Sequence, residues 1–171
     1  MLFVDSLHWQ ICNMLIFNSS GLLVPDNKIT SSLEELETEF VKNIPTPKRK
    51  EIFEAYKNYS GQFKKVCNLQ ELHQWINGSF VTKKSSHGDI DLITFLDFEI
   101  VKQLGDSINN FKYPNSEIIY GVDAYIIEVY PENHKNWFIY LSDKAYWMDR
   151  FTKTRRVKGN RLAKGFLEIK L

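Results

Sequence analysis

The sequence predicts a mixed α/β (α+β) domain, and three observations carry that expectation. Two early segments set apolar residues at helical spacing behind N-capping residues. Short runs rich in β-branched and aromatic residues cluster in the middle of the chain, and a further helical stretch and an alternating run follow them. At 171 residues the chain suits one domain with a real core. Its 43% hydrophobic and 25% charged residues exclude a disordered chain, and its net charge of +1 names no partner.

The opening, "MLFVDSLHWQICNMLIF", is apolar but lacks a basic start and is interrupted by Asp5 and His8. It also falls short of the ~20 apolar residues that span a bilayer. A protein with no membrane partner and no targeting signal is expected, with this segment packed on the domain or on a partner. Cys12 and Cys67 are too few for a disulfide framework, which favours free thiols and a cytoplasmic location.

After a loop over Gly21 to Asn27, Ser32 and Glu35 have capping-box spacing, and Leu33, Leu36, Phe40 and Val41 recur helically up to Pro45. Thr46 and Pro47 then open a second helix, with Ile52, Phe53, Tyr56 and Phe63 on its apolar stripe. Residues 73–76 read as a strand running into Gly78 and Ser79, and "DIDLITFL" as a second strand. "DFEIVKQLGDSINNF" is expected to be a helix burying Ile100, Val101, Leu104 and Ile108, with Asp97 and Glu99 suiting its N-terminal dipole. "SEIIYGVDAYIIEVY" reads as a long central strand, and a helix over residues 133–151 carries Trp137, Phe138, Leu141 and Trp147. The tail is basic, then alternates through Phe166, Glu168 and Ile169 as a last strand.

The chemistry is concentrated in "WINGSFVTKKSSHGDIDL". Carboxylates inside an apolar run are costly to desolvate. Residues two apart in a strand share a face about 6.5 to 7 Å from each other, so Asp89 and Asp91 are expected to project together. A divalent cation relieves their repulsion, and hard oxygen ligands suit Mg²⁺ or Mn²⁺. Gly78 lets the backbone approach a phosphate, and Ser79 offers it a hydroxyl and an amide. Together they suggest a site for a nucleoside triphosphate and its metal.

Gly-Ser followed after nine intervening residues by Asp-x-Asp resembles the signature of the DNA polymerase β-like nucleotidyltransferases. "FNSSGLLVP", the two helices, "WINGSFVTKK", "GDIDL" and "KGFLEIKL" are similar, in that order, to a group of small prokaryotic nucleotidyltransferase-like proteins. The resemblance covers most of residues 17–171, which it implies form one domain behind an extension over residues 1–16. It implies a small mixed central sheet flanked by helices. It further implies that Asp89, Asp91 and a third carboxylate, Asp123, are catalytic and hold the metals, while Gly78 and Ser79 hold the β and γ phosphates. The activity implied is Mg²⁺-dependent transfer of a nucleoside monophosphate to a protein or RNA acceptor, tRNA included. Small members that act as toxins beside a cognate antitoxin or partner protein make a toxin or defence role an expectation by analogy. Where such proteins often read "LLPPG", this chain has "LLVPDNK", which bears on loop shape and not on a ligand.

Blander readings stand beside these. Lys83 is a nucleotide-binding candidate, but with Lys84 it also reads as a solvated pair, and His87 reads as a turn residue. Arg155 and Arg156, in the densest basic run, are candidate contacts to acceptor or phosphate, or a solvated face. Trp75, Trp137 and Trp147 are expected in the core. The alternative function is a catalytically inactive nucleotide-binding or interaction module of the same fold. A metal-dependent glycosyltransferase would leave the Gly-Ser pair unexplained.

Overall fold

The computed structural model describes residues 15–84, 88–156 and 159–171. Residues 1–14, His87 and Lys158 therefore lie outside it. The first strands, β1 (Ile16–Phe17) and β2 (Leu23–Val24), pair antiparallel. β3 (Lys28–Ser31), where the sequence reading had no strand, leads into α1 (Leu33–Glu37) and a π-helical turn over Thr38–Lys42. Half of the expected capping box forms. Ser32 accepts from the Glu35 amide at 3.1 Å, but the Glu35 carboxylate turns instead to the Ser31 hydroxyl at 2.7 Å. α2 (Pro47–Val66) starts as expected, with Thr46 accepting from the Arg49 amide.

β4 (His73–Asn77) and β5 (Asp91–Asp97) follow, then α3 (Phe98–Leu104) with a 3-10 turn over Gly105–Phe111. The long strand expected over residues 116–130 is corrected. Its first part is a short helix, α4 (Asn115–Tyr120), which Gly121 ends at φ +74°, and β6 (Asp123–Val129) begins only at Asp123. Glycine takes that left-handed conformation without the Cβ penalty, so the helix stops there and the chain turns into the sheet. α5 (Trp137–Phe151) and β7 (Phe166–Lys170) complete the fold. The helix expected over residues 133–151 begins at Trp137; Phe138 and Leu141 lie exposed on it, and Phe151 is buried.

Five strands form one mixed sheet in the order β3-β7-β4-β5-β6. β4 runs antiparallel to β5 and β7, while β5 and β6 are parallel, as are β3 and β7. The strand period of two divides the side chains between two faces. One face carries Ile76, Leu92, Leu96, Leu167 and Ile169 against Ile52, Phe53, Tyr56 and Phe63 of α2. Burying each such side chain stabilises by about 1.5–3 kcal/mol. Gln74 and Thr94 on this face are buried but satisfied, because Tyr56 and Ser60 donate to the Gln74 carbonyl and its amide donates to Thr94. The other face carries Trp75, Ile93, Phe95, Ile127 and Phe166 beneath Phe151 of α5. Cys67 is a buried free thiol. Among the described residues no helix is long and apolar enough to cross a membrane.

Candidate active site

The strand register brings three polar residues into one row. Asn77 of β4 stands opposite Asp91 of β5, and Asp91 opposite Asp123 of β6, at one end of the sheet and on the face that α5 covers. Such a row in a sheet interior needs partners, yet Asn77 Oδ1 and Asp123 Oδ1 are both buried without a hydrogen bond. Burial, and then the nearby Asp89 and Asp123, push the Asp91 carboxyl up to about 7. Asp89 lies just before β5 and not inside it, so the expected two-residue strand alternation does not apply. The two carboxylates still converge, since Arg155 Nη2 is 2.8 Å from Asp89 Oδ2 and 3.8 Å from Asp91 Oδ1.

Gly78 and Ser79 connect this row to the loop above it. Gly78 has φ +87°, and a Cβ there would sit 2.8 Å from the Asp89 carbonyl oxygen and 3.2 Å from Asp91 Oδ2. Any side chain would collide there, so only glycine lets the Asp89–Asp91 segment pack this closely against the turn after β4. The Ser79 hydroxyl, expected on phosphate, donates here to Asp89 Oδ1 at 3.0 Å and accepts from the Gly88 amide. It therefore closes the loop between the strands and aims Asp89.

A cleft of about 670 Å³ opens over the row, and among the described residues seven basic side chains line it: Lys84, Arg150, Lys153, Arg155, Arg156, Arg161 and Lys164. Arg155 and Arg156 thus reach the site. Lys83 does not, because it pairs with Glu39 at 2.8 Å and lies over the Phe17 ring. Lys84, read with Lys83 as a solvated pair, lines the cleft instead. Lys164 is 5% exposed, and its ammonium donates to the Gly78 carbonyl at 3.2 Å. Burial lowers its pKa to about 8, against the opposite pull of Asp91 and Asp89. Its position follows from Gly165, whose amide donates to the Leu23 carbonyl and where a Cβ would meet the Pro25 carbonyl at 2.4 Å. The chain thus enters β7 pressed against the loop after β2, with Lys164 at the cleft.

Sequence reasoning missed two further contributors. Asn77 gave no signal beyond preceding Gly78. Arg49 of α2, which the helix pattern does not single out, is fully buried. Its guanidinium donates to the carbonyls of Phe40, Phe80, Thr82 and Lys84 at 2.7–3.1 Å and lies near the Phe40 and Phe80 rings. Burial lowers its pKa to about 10, which keeps it charged at neutral pH. It fixes the segment that follows Gly78 and Ser79. Of the three tryptophans expected in the core, Trp75 is buried there, Trp147 packs against that core half-buried while also lining the cleft with Tyr125, and Trp137 is only half-buried.

Among the described residues, no three His, Cys, Asp or Glu side chains stand close enough together to hold a metal ion as arranged. The Arg155 guanidinium supplies the neutralising charge between Asp89 and Asp91. The donor set nevertheless fits a hard divalent cation: it is all oxygen, with an unpaired buried Asp123 oxygen.

Residues 15–170 match the model of a family described as a family of unknown function, DUF6932, and the chain belongs to that family. No curated protein and no solved structure matches it.

Proposed function

We propose that the protein is a nucleotidyltransferase of the polymerase β-like fold, dependent on Mg²⁺ or Mn²⁺, that moves a nucleoside monophosphate from a nucleoside triphosphate to a protein or RNA hydroxyl. The observation that carries this reading is the row Asn77, Asp91, Asp123, with two buried oxygens lacking partners, beside Asp89 under a cationic cleft. Parallel β5 and β6, with Asp91 and Asp123 in register, support the fold reading.

Asp89, Asp91 and Asp123 would hold the metal, which when bound supplies Lewis-acid stabilisation of the phosphoryl group and of the attacking oxygen. The chain's own residues do the rest. Gly78 lets the backbone that carries Asp89 and Asp91 pack close beneath the cleft, and Lys164, Arg155 and Arg156 neutralise the triphosphate tail. Ser79 holds Asp89 in place. The acceptor oxygen bonds to the α phosphorus while the bond from that phosphorus to the bridging oxygen breaks. Pyrophosphate departs with the electron pair, and the hydroxyl proton leaves by way of Asp123.

The test is incubation with each α-³²P nucleoside triphosphate, Mg²⁺ and cell extract, followed by separation of protein from RNA. Label in a macromolecule is expected, and Asp123→Asn should lower it at least about a hundredfold, or ~2.7 kcal/mol of transition-state stabilisation. Circular dichroism and triphosphate binding on the same preparation should stay near wild type. One contact favours a second reading, a binding module without turnover: Arg155 already neutralises Asp89. Triphosphate bound with no label transferred would support it.

A further inference from the structure

Two features of the cleft bear on the acceptor, the first of them charge. Lys153 is paired with Asp149 outside the lining, which leaves six cations among the described lining residues against the three carboxylates Asp89, Asp91 and Asp123. A nucleoside triphosphate with one divalent cation brings a net charge of about −2, so positive charge is left over, and a second metal enlarges the surplus. A neutral protein hydroxyl does nothing for that surplus. A phosphate backbone offsets it.

The second feature is aromatic. Tyr125 lies two residues beyond Asp123 on β6, so the two share a face, and both line the cleft. The Trp147 ring lies 4.5 Å from Tyr125 by centroid, and the Arg150 guanidinium sits 5.6 Å over Trp147. Tyr113 also stacks on Tyr125, at 5.9 Å with an interplanar angle of 27°. Its amide is tied to the Ala124 carbonyl, and its side chain is 48% exposed. Tyr125 and Trp147 thus set rings beside the carboxylate row with Arg150 next to them, and Tyr113 carries the aromatic surface on to an exposed ring. Single-stranded polynucleotides use that combination, with bases on rings and backbone on cations, whereas a duplex keeps its base faces covered.

We infer that the acceptor is the 3′ end of a single-stranded polynucleotide, its terminal hydroxyl at the carboxylate row and a preceding base stacked on the exposed ring of Tyr113. This rests on the nucleotidyltransferase reading above. The strand's 3′ oxygen forms the new bond to the α phosphorus, pyrophosphate leaves with the electrons of the broken bond, and the hydroxyl proton is released. The strand is one nucleotide longer.

The experiment uses the full chain and fluorescein-labelled mixed-sequence strands of about twelve nucleotides: RNA, DNA, and a blunt duplex of the same sequence. Binding is followed by anisotropy without triphosphate or metal, across a salt series. Tight binding of RNA, DNA or both, with the duplex at least about tenfold weaker and log affinity falling linearly with log salt, supports the inference. Tyr113→Ala should weaken binding about 5- to 100-fold and Tyr113→Phe should restore it. Circular dichroism checks that both variants fold. The inference is overturned if neither single strand binds at low salt, if the duplex binds equally well, or if Tyr113→Ala matches wild type. Transfer is measured separately. Label entering protein with no strand bound overturns the inference and leaves the nucleotidyltransferase reading intact. Strand binding with no transfer to any acceptor supports the polynucleotide site and overturns that reading.

Discussion

Asp91 is the residue where the requirements of folding and of chemistry oppose each other. Its carboxyl is raised from its ordinary value of 3.8 to about 7, so between those values the folded state keeps a proton that the unfolded state has lost. Stability therefore falls as pH rises from about 4 to 7, and the penalty is fully present above 7. Lys164, lowered from 10.5 to about 8, acts in a separate window: between those values the unfolded state holds more protons, and stability rises with pH. Asp91→Asn should thus be more stable than wild type at pH 7.5, by at least about 1 kcal/mol or ~2–4 °C in Tm, with the difference shrinking toward pH 4. Thermal melts of the metal-free protein across that range check it, and a variant that melts lower at pH 7.5 would count against a costly buried charge. Asp89 and Asp91 were legible because a spacing rule named them. Asn77 was not, because its role comes from standing opposite Asp91 on another strand, which is a property of register.

The element that holds the site open is α2, through Arg49. It crosses from the helix to the Phe80–Lys84 segment, where three carbonyls accept from it, with that of Phe40 as a fourth. Hydrogen bonds to a charged group are worth about 1.5–3 kcal/mol each, and buried carbonyls stripped of their donor lose solvation as well. Arg49→Ala should destabilise by about 3 kcal/mol or more in urea melts. Arg49→Lys should recover little of this, because an ammonium has no fork to bridge carbonyls on either side of it. In whatever fraction stays folded, triphosphate affinity should fall more than metal affinity, since the loop shaped by Arg49 faces phosphate. Equal stability of the lysine variant and wild type would refute the bridging role. The helices α1 and α2 were readable from capping residues and apolar spacing. α4 was not: its "SEIIY" run is as apolar as a strand, and the decisive residue is Gly121, whose left-handed φ a sequence does not display. β3 was hidden because four residues pairing with a strand from the far end of the chain carry no local pattern.

Across the whole molecule, the site is assembled from parts distant in sequence. The carboxylates come from β5, β6 and the residues just before β5, the loop clamp from α2, and Lys164 from the approach to β7. β7, last in the chain, lies between β3 and β4 in the sheet. Nothing short of the folded chain presents the cleft, so a ligand that binds there stabilises the entire fold by mass action. At about a hundred times its dissociation constant, that is about 2.7 kcal/mol. For a domain of this size it corresponds to a rise in Tm of about 5–10 °C. Mg²⁺ with a non-hydrolysable nucleoside triphosphate should give that rise. Mg²⁺ alone should give less than half of it, since it must displace Arg155 from Asp89 with no phosphate to receive the guanidinium. The triphosphate alone should also fall short, because the clustered carboxylates then repel its phosphates. Asp91→Asn provides the decisive control. It should melt higher than wild type when unliganded and yet show almost no further rise with both ligands, because it lacks the central carboxylate of the row. Differential scanning fluorimetry on the four combinations measures all of this on one preparation. If Asp91→Asn gained as much from Mg²⁺ and triphosphate together as wild type does, ligand binding would not run through the carboxylate row.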